Sequence, residues 1–151
     1  MAELQGLSAA ADLPPQPAPT APLAPGDSHG LALMAAEACD DRKAVDIRLI
    51  RVEEISSLAD WFVICSGLTD VQVRAIARSV EDSLEESAGR LPLRREGLSE
   101  GRWVVLDYGE LIVHVLTPQE RAYYDLEAFW GHGGQERYVS PLLAGGSTAG
   151  A

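Results

Sequence analysis

Histidine is the side chain best suited to proton transfer near neutral pH, and this sequence has three. His114 lies in the apolar segment Leu111–Leu116, close in sequence to Asp107. A general base needs a carboxylate or a nucleophile within hydrogen-bond reach, whereas a histidine among apolar residues is more often structural. We therefore favour a structural His114 with satisfied ring nitrogens. His29, His114 and His132 are widely separated, so they show no spacing typical of a metal site.

The two cysteines, Cys39 and Cys65, are the other candidate nucleophiles. A thiol becomes reactive when a nearby cation lowers its pKa. Cys65 lies in the apolar segment Trp61–Ser66, which contains no Lys or Arg, and Cys39 is followed by Asp40 and Asp41, whose charges oppose a thiolate. Two cysteines without a C-x-x-C spacing indicate neither a disulfide scaffold nor a zinc or redox site. We predict that Cys65 is a core residue and that the compartment is a reducing cytoplasm.

Ser66 and Gly67 precede a predicted helix start, the order found in strand–turn–helix phosphate-binding loops. The sequence nevertheless lacks both a Walker motif and G-x-G-x-x-G. A nucleotidyltransferase needs closely spaced acids for magnesium, and Asp107 and Glu110 are separated by a predicted turn that gives them poor geometry for one ion. We therefore expect no catalytic residue, metal or cofactor. A nucleotidyltransferase-like enzyme using a nucleotide and a divalent metal remains the alternative function, and a hydrolase is a more distant one.

Aromatic residues make up only 6% of the chain, and most lie in its C-terminal half: Trp103, Tyr108, Tyr123, Tyr124, Phe129 and Trp130. Phe129 and Trp130 fit a core role. Trp103 and Tyr108 lie on one predicted strand at positions of opposite parity, so they face opposite sides of the sheet and at least one is expected to face outward. Exposed aromatic side chains on a sheet are good anchors for a protein partner. These residues therefore favour a binding module over an enzyme.

The elements that position these residues are predicted from periodicity and capping signals. Ser28 is the predicted cap of a helix over 29–41, and residues 45–52 alternate as a half-buried strand. Residues 61–66 are apolar throughout, as in a central strand. A clean amphipathic stripe predicts a helix that starts at Thr69 or Asp70, ends at Gly89 and carries its apolar face on Val73, Ile76, Ala77, Val80 and Leu84.

The second half is richer in predicted strands. Residues 91–95 form a short strand, and 103–108 and 111–116 flank Gly109-Glu110 as a tight antiparallel hairpin. Thr117 begins a capping box, followed by a single helix to Gly131. Its predicted inward side comprises Ala122, Leu126, Phe129 and Trp130. We predict an α/β fold with a mixed sheet of about five strands flanked by helices.

Composition divides the 151 residues into three parts. Residues 1–28 are rich in Pro and Ala and predict a disordered tail, residues 29–140 form the domain, and residues 141–151 form a flexible tail. No apolar run is long enough to span a membrane. The net charge is −11, which disfavours binding to nucleic acid through charge alone.

Several segments, taken in order, resemble the ribosomal silencing factor family, whose members are also called Iojap-related proteins. The resemblance runs from about Ala35 to Trp130 and includes DDRKAVDIRLIRV, LADWFVICSGLTDVQVRAIA, REGLSEGRWVVLDYGELIVHVL and ERAYYDLEAFW. No single segment is specific, but their combination in this order is.

The resemblance implies a fold like a minimal nucleotidyltransferase without its catalytic acids. It implies a translational repressor that binds the large ribosomal subunit through the ribosomal protein called L-fourteen. Occupying that face would block joining of the small subunit, especially under nutrient limitation. It also implies a protein without enzymatic activity that can form homodimers when it is off the ribosome. The acidic charge predicts little direct nucleic-acid binding, and the lack of a long apolar run predicts no membrane association.

The family pattern is matched at Trp103, Asp107, Tyr108, Gly109 and His114, which we take as candidate partner-binding residues. The acidic charge agrees with this hypothesis, because ribosomal proteins are commonly basic and opposite potentials speed encounter. Repulsion from RNA would meanwhile discourage nonspecific binding.

Overall fold

The computed structural model describes residues 27–140. The helices are α1 (Ser28–Asp41), α2 (Asp70–Ala88), α3 (Pro118–Tyr124) and α4 (Leu126–Trp130), with a 3₁₀ turn at Gly131–Gly133. The strands are β1 (Val45–Arg51), β2 (Trp61–Ser66), β3 (Arg94–Glu96), β4 (Trp103–Asp107), β5 (Leu111–Leu116) and β6 (Gln135–Arg137). The tails predicted at 1–28 and 141–151 lie outside the described residues, except for positions 27 and 28.

The six strands form one mixed sheet in the order β3-β4-β5-β2-β1-β6. The central pair, β2 and β5, is parallel, and the other neighbouring pairs are antiparallel. Both central strands are buried along their whole length, as expected for parallel strands covered on both faces. This confirms the predicted α/β fold with a mixed sheet. The likeness to a nucleotidyltransferase stays a prediction.

Local signals set the long helix α2. Thr69 accepts a hydrogen bond from the backbone N–H of Gln72 at 3.1 Å, which satisfies a free donor of the first turn. Gly89 adopts a left-handed φ of 64° at the other end, a conformation that glycine adopts without a Cβ clash. The predicted apolar stripe is buried. Helix α2 therefore begins and ends where the sequence indicates.

The two faces of the sheet are covered differently. Helices α1 and α2, which we call the helical layer, pack on one face and enclose the main core. Its small residues Ala32, Ala35 and Ala36 are fully buried and leave room for close packing. The opposite face carries a smaller core that includes Phe62, Ile64, Ile112 and Leu116, with Leu126 and Trp130 packed over it. Among residues 27–140, no helix is both long and apolar enough to cross a membrane.

The prediction of one continuous C-terminal helix is wrong. Asp125 adopts a left-handed φ of 49°, so the chain turns between α3 and α4 instead of continuing one helix. Leu126 and Trp130 face inward as predicted, but Ala122 is exposed and Phe129 is 63% exposed. One helical periodicity does not continue across this turn. The predicted core role of Phe129 is therefore wrong.

Two smaller predictions also need correction. Asp27 caps α1 in place of Ser28, because its carboxylate accepts a hydrogen bond from the N–H of Gly30 at 2.8 Å. A sixth strand, β6, pairs with the outer edge of β1. Its three residues are exposed and polar, so the strand arises from pairing with β1 and not from an apolar pattern.

Candidate functional site

Aromatic rings line the face of the sheet opposite the helical layer. We call this surface the aromatic face and define it as Phe62, Trp103, His114, Tyr123, Tyr124, Phe129 and Trp130. Each ring centroid lies within 6.1 Å of another ring of the set. Tyr123 is 80% exposed, Phe129 63% and Tyr124 48%. The face therefore combines a buried base on the sheet with an exposed aromatic rim.

Trp103 and His114 meet at the base of the aromatic face. The indole Nε1–H of Trp103 donates to Nδ1 of His114 at 3.2 Å, and the His114 ring also lies 4.8 Å from the ring of Phe62. Burial lowers the pKa of His114 to about 4, because the charged imidazolium would lose its hydration. Nε2 of His114 is buried and has no hydrogen-bond partner among residues 27–140. The burial of His114 agrees with the predicted place of this residue in the packed sheet, but the prediction that both ring nitrogens are satisfied is wrong.

The other predicted site residues lie at the end of the β4–β5 hairpin. Tyr108 is fully buried in the main core, on the side of the helical layer. Asp107 accepts a hydrogen bond from the N–H of Gly109 at 2.8 Å and forms an ion pair with Arg94 at 3.3 Å. The fold brings Trp103 and His114 together, whereas Asp107, Tyr108 and Gly109 shape the adjacent turn.

One arginine fixes the helices that carry the exposed rim. Arg121 of α3 forms an ion pair with Glu127 of α4 at 2.6 Å. It also donates to the hydroxyl of Ser66 at 3.1 Å and to the carbonyl of Val45 at 3.2 Å. Both side chains of the ion pair are largely buried, so Arg121 ties α3 and α4 to the edge of the sheet.

The first two backbone N–H donors of the turn after β2 are already occupied. The N–H of Gly67 donates to the carbonyl of Leu116 at 3.0 Å, and the N–H of Leu68 donates to the side chain of Gln72 at 2.7 Å. The hydroxyl of Ser66 is already held by Arg121. These groups therefore already have partners within the described residues.

The two carboxylates considered for a metal belong to separate ion pairs. Glu110 accepts two hydrogen bonds from Arg90, at 2.8 and 2.9 Å, while Asp107 pairs with Arg94. Burial opposes the charge of Glu110, but the hydrogen bonds from Arg90 and from the backbone outweigh it and lower the pKa of Glu110. Within the described residues, no three His, Cys, Asp or Glu side chains are grouped to hold a metal ion.

Both cysteines are fully buried and free, as predicted for Cys65. Contact with Cys65 and burial together raise the pKa of Cys39. A buried thiol with a raised pKa is a poor nucleophile. The cysteines therefore belong to the main core.

The family described as "Ribosomal silencing factor during starvation" matches residues 25–145. The chain belongs to this family. A relative named ribosomal silencing factor RsfS from Bacillus subtilis is 47% identical over 98 residues, which cover 65% of this chain and 82% of the relative. The chloroplastic protein Iojap of Zea mays is 31% identical over 101 residues, covering 67% of this chain and 43% of that protein.

Solved structures agree with this assignment of the silencing factor family. A crystal structure of a protein from Chromobacterium violaceum matches with a TM-score of 0.66 and 35% identity, covering 74% of this chain and 92% of the other. A crystal structure from Bacillus halodurans matches with a TM-score of 0.61 and 39% identity, covering 68% and 94%. The resemblance inferred from the sequence motifs is confirmed.

Sequence reasoning missed part of the surface that this silencing factor chain presents. Tyr124 is not among the predicted partner-binding residues, yet its ring packs 4.7 Å from Trp103. Phe62 lies on the other parallel strand and joins the rings of His114 and Trp130. The Y-Y-D run held a usable signal, because Asp is tolerant of a left-handed conformation and so indicates a break.

Proposed function

We propose that this chain is a translational repressor. It binds the large ribosomal subunit through the ribosomal protein called L-fourteen and blocks joining of the small subunit by occupying the shared face, especially under nutrient limitation. It acts by steric exclusion, without catalysis, in the cytoplasm, and self-associates as a dimer when free. Relatives that are 36% to 47% identical are named ribosomal silencing factors, which supports the ribosome as the target.

The aromatic face is the observation that carries the placement of the contact. Interfaces depend on a few aromatic and aliphatic anchors surrounded by a polar rim. Trp103 is half-buried on the sheet, and Tyr123, Tyr124 and Phe129 leave large aromatic areas exposed around it. We place the partner surface on Trp103 and His114, with the Asp107–Gly109 turn at its edge and Tyr108 anchoring that turn in the core.

The distribution of charge supports the same orientation. The helical layer contains eight acidic and two basic side chains, and it lies on the sheet face opposite the aromatic face. Ribosomal RNA repels such a layer, and the net negative charge of the whole chain gives a long-range attraction to a basic ribosomal protein. The charge therefore favours docking with the helical layer turned away from RNA.

The function is tested by sedimentation of the chain with isolated ribosomal subunits in a sucrose gradient. We expect the chain to migrate with the large subunit, without nucleotide, and to prevent association when the small subunit is added. Free association of the subunits in the presence of saturating chain would contradict the proposal.

The placement of the contact is tested with Trp103→Ala. We expect this variant to lose roughly 2–4 kcal/mol of binding free energy for the large subunit, because an aromatic anchor is truncated. Leu33→Ala is the matched control, since Leu33 is 39% exposed on the helical layer and should bind as wild type. A folded Trp103→Ala chain that co-sediments normally would contradict this placement.

A further inference from the structure

The hydrogen bond between Trp103 and His114 defines the state of the imidazole. An indole N–H can only donate, so Nδ1 of His114 must accept. In a neutral imidazole the other nitrogen then carries the proton. His114 pairs with Val105 across the hairpin and Trp103 pairs with Leu116, so the bond joins diagonal neighbours of two strands.

A buried His114 with this hydrogen bond does not give the highest stability of the fold. The Nε2–H of His114 is buried with no acceptor in the described structure, and an unpaired buried donor destabilises the folded state. The surrounding residues Phe62, Ile64 and Ile112 are apolar, so an apolar side chain at position 114 would avoid this cost. A residue that lowers stability while holding a neighbour in place is typical of a functional site.

Trp103 is the neighbour that is held. Its ring lies between His114, at 6.1 Å, and Tyr124, at 4.7 Å, and part of its surface is exposed. Its hydrogen bond to Nδ1 adds a directional contact, which packing does not provide. Without this bond, the indole could rotate within the aromatic face, and a partner would have to order it again on binding.

We propose that His114 is a positioning residue, which holds the Trp103 indole in the orientation that binds the large ribosomal subunit. This inference rests on the proposed function and gives His114, at the buried base of the aromatic face, a role that acts through Trp103. It predicts that the acceptor at Nδ1 matters for binding more than for folding.

The test compares His114→Leu, which removes the acceptor, with His114→Asn, whose amide oxygen restores one near the position of Nδ1. Three readouts are measured: affinity for isolated large subunits, the Trp103 indole N–H resonance by NMR, and the thermal midpoint. Ile64→Val is the matched control, because Ile64 pairs with His114 across the parallel strands and makes no bond to the indole.

We expect His114→Leu to keep or raise the thermal midpoint. The Trp103 indole N–H resonance should shift, and this proton should exchange faster with solvent. Binding should weaken about tenfold, which corresponds to the free energy of one hydrogen bond. His114→Asn should recover most of the affinity, and Ile64→Val should match wild type. Trp103→Phe removes the donor without touching His114, and adding His114→Leu to it should cause no further loss.

Three results would overturn the positioning role. They are wild-type affinity in His114→Leu, an equal loss on adding His114→Leu to Trp103→Phe, and no recovery in His114→Asn. If His114→Leu does not fold, the Trp103→Phe and His114→Asn pair still decides the question. Failure of the wild-type chain to bind large subunits would instead count against the proposed function.

Discussion

At the scale of single residues, buried polar groups of this chain lie in two kinds of electrostatic environment. Glu110 keeps its charge because Arg90 and a backbone N–H hold it, and its pKa falls. His114 has no charged partner in the described part of the chain, so burial keeps it neutral and lowers its pKa to about 4. The surroundings of Glu110 stabilise its charged form and those of His114 stabilise its neutral form, although both residues lie on the same hairpin.

The neutral His114 makes stability depend on pH. Below the ordinary pKa of histidine, 6.5, His114 is protonated in the unfolded chain, whereas in the folded chain it stays neutral until about pH 4. Stability is therefore lost as pH falls through this window. We expect the drop in unfolding free energy between pH 7 and pH 5, measured by urea denaturation, to be smaller in His114→Leu by roughly 2 kcal/mol.

Ile64→Val is again the control and should keep the wild-type dependence on pH, because it removes no titrating group. An equal drop in wild type and His114→Leu would show that the imidazole is protonated in the folded state, contrary to its burial.

At the scale of elements, the aromatic face is assembled by connections and not by the strands alone. Arg121 ties α3 and α4 to the strand ends, and Asp125 turns the chain between them. On the other side, the loop from β3 to β4 delivers Trp103 to the start of its strand. That loop begins at Gly97, whose φ is +85°.

Gly97 is the position where a methyl group should be most harmful. A Cβ there would lie 1.9 Å from the carbonyl oxygen of Trp103, so backbone must move. We expect Gly97→Ala to lower the unfolding free energy by more than about 2 kcal/mol and to weaken binding by displacing Trp103. Chemical denaturation and subunit co-sedimentation measure the two effects.

Gly109→Ala is the matched control for backbone strain. Gly109 also has a positive φ, +95°, but a Cβ there would meet only a Leu93 methyl at an ordinary 3.5 Å. We expect a loss of about 1 kcal/mol. Equal losses in the two alanine variants would mean that the contact with Trp103 relaxes without cost.

At the scale of the whole molecule, charge and aromatic surface lie on opposite sides of one sheet. The acidic helical layer faces one way, and the exposed rim of Tyr123, Tyr124 and Phe129 faces the other. A molecule of this kind can be oriented by the field of a charged target before it makes contact.

This asymmetry predicts how salt affects binding. We expect the association rate with isolated large subunits to fall severalfold as KCl rises from about 50 to 300 mM at constant magnesium, because screening shortens the range of attraction to a basic protein. The dissociation rate should change little, since the aromatic contacts are not ionic. Faster association at high salt would show that repulsion from RNA dominates the encounter.

Local features and family membership follow from the order of residues along the chain. The apolar stripe of α2, its cap at Thr69 and its end at Gly89 depend on contacts within a few residues, so periodicity and capping rules predict them. The ordered motifs identified the ribosomal silencing factor family for the same reason, since they are read along the chain.

Which side chains meet and which face stays exposed depend on the packing of the whole fold. Strand parity placed Trp103 and Tyr108 on opposite sides, but the position of the helical layer decided that Tyr108 is the buried one. The pairing of β6 with β1, the exposure of Phe129 and the unpaired nitrogen of His114 depend on residues distant in sequence. Such contacts follow from packing between elements, which no local pattern encodes.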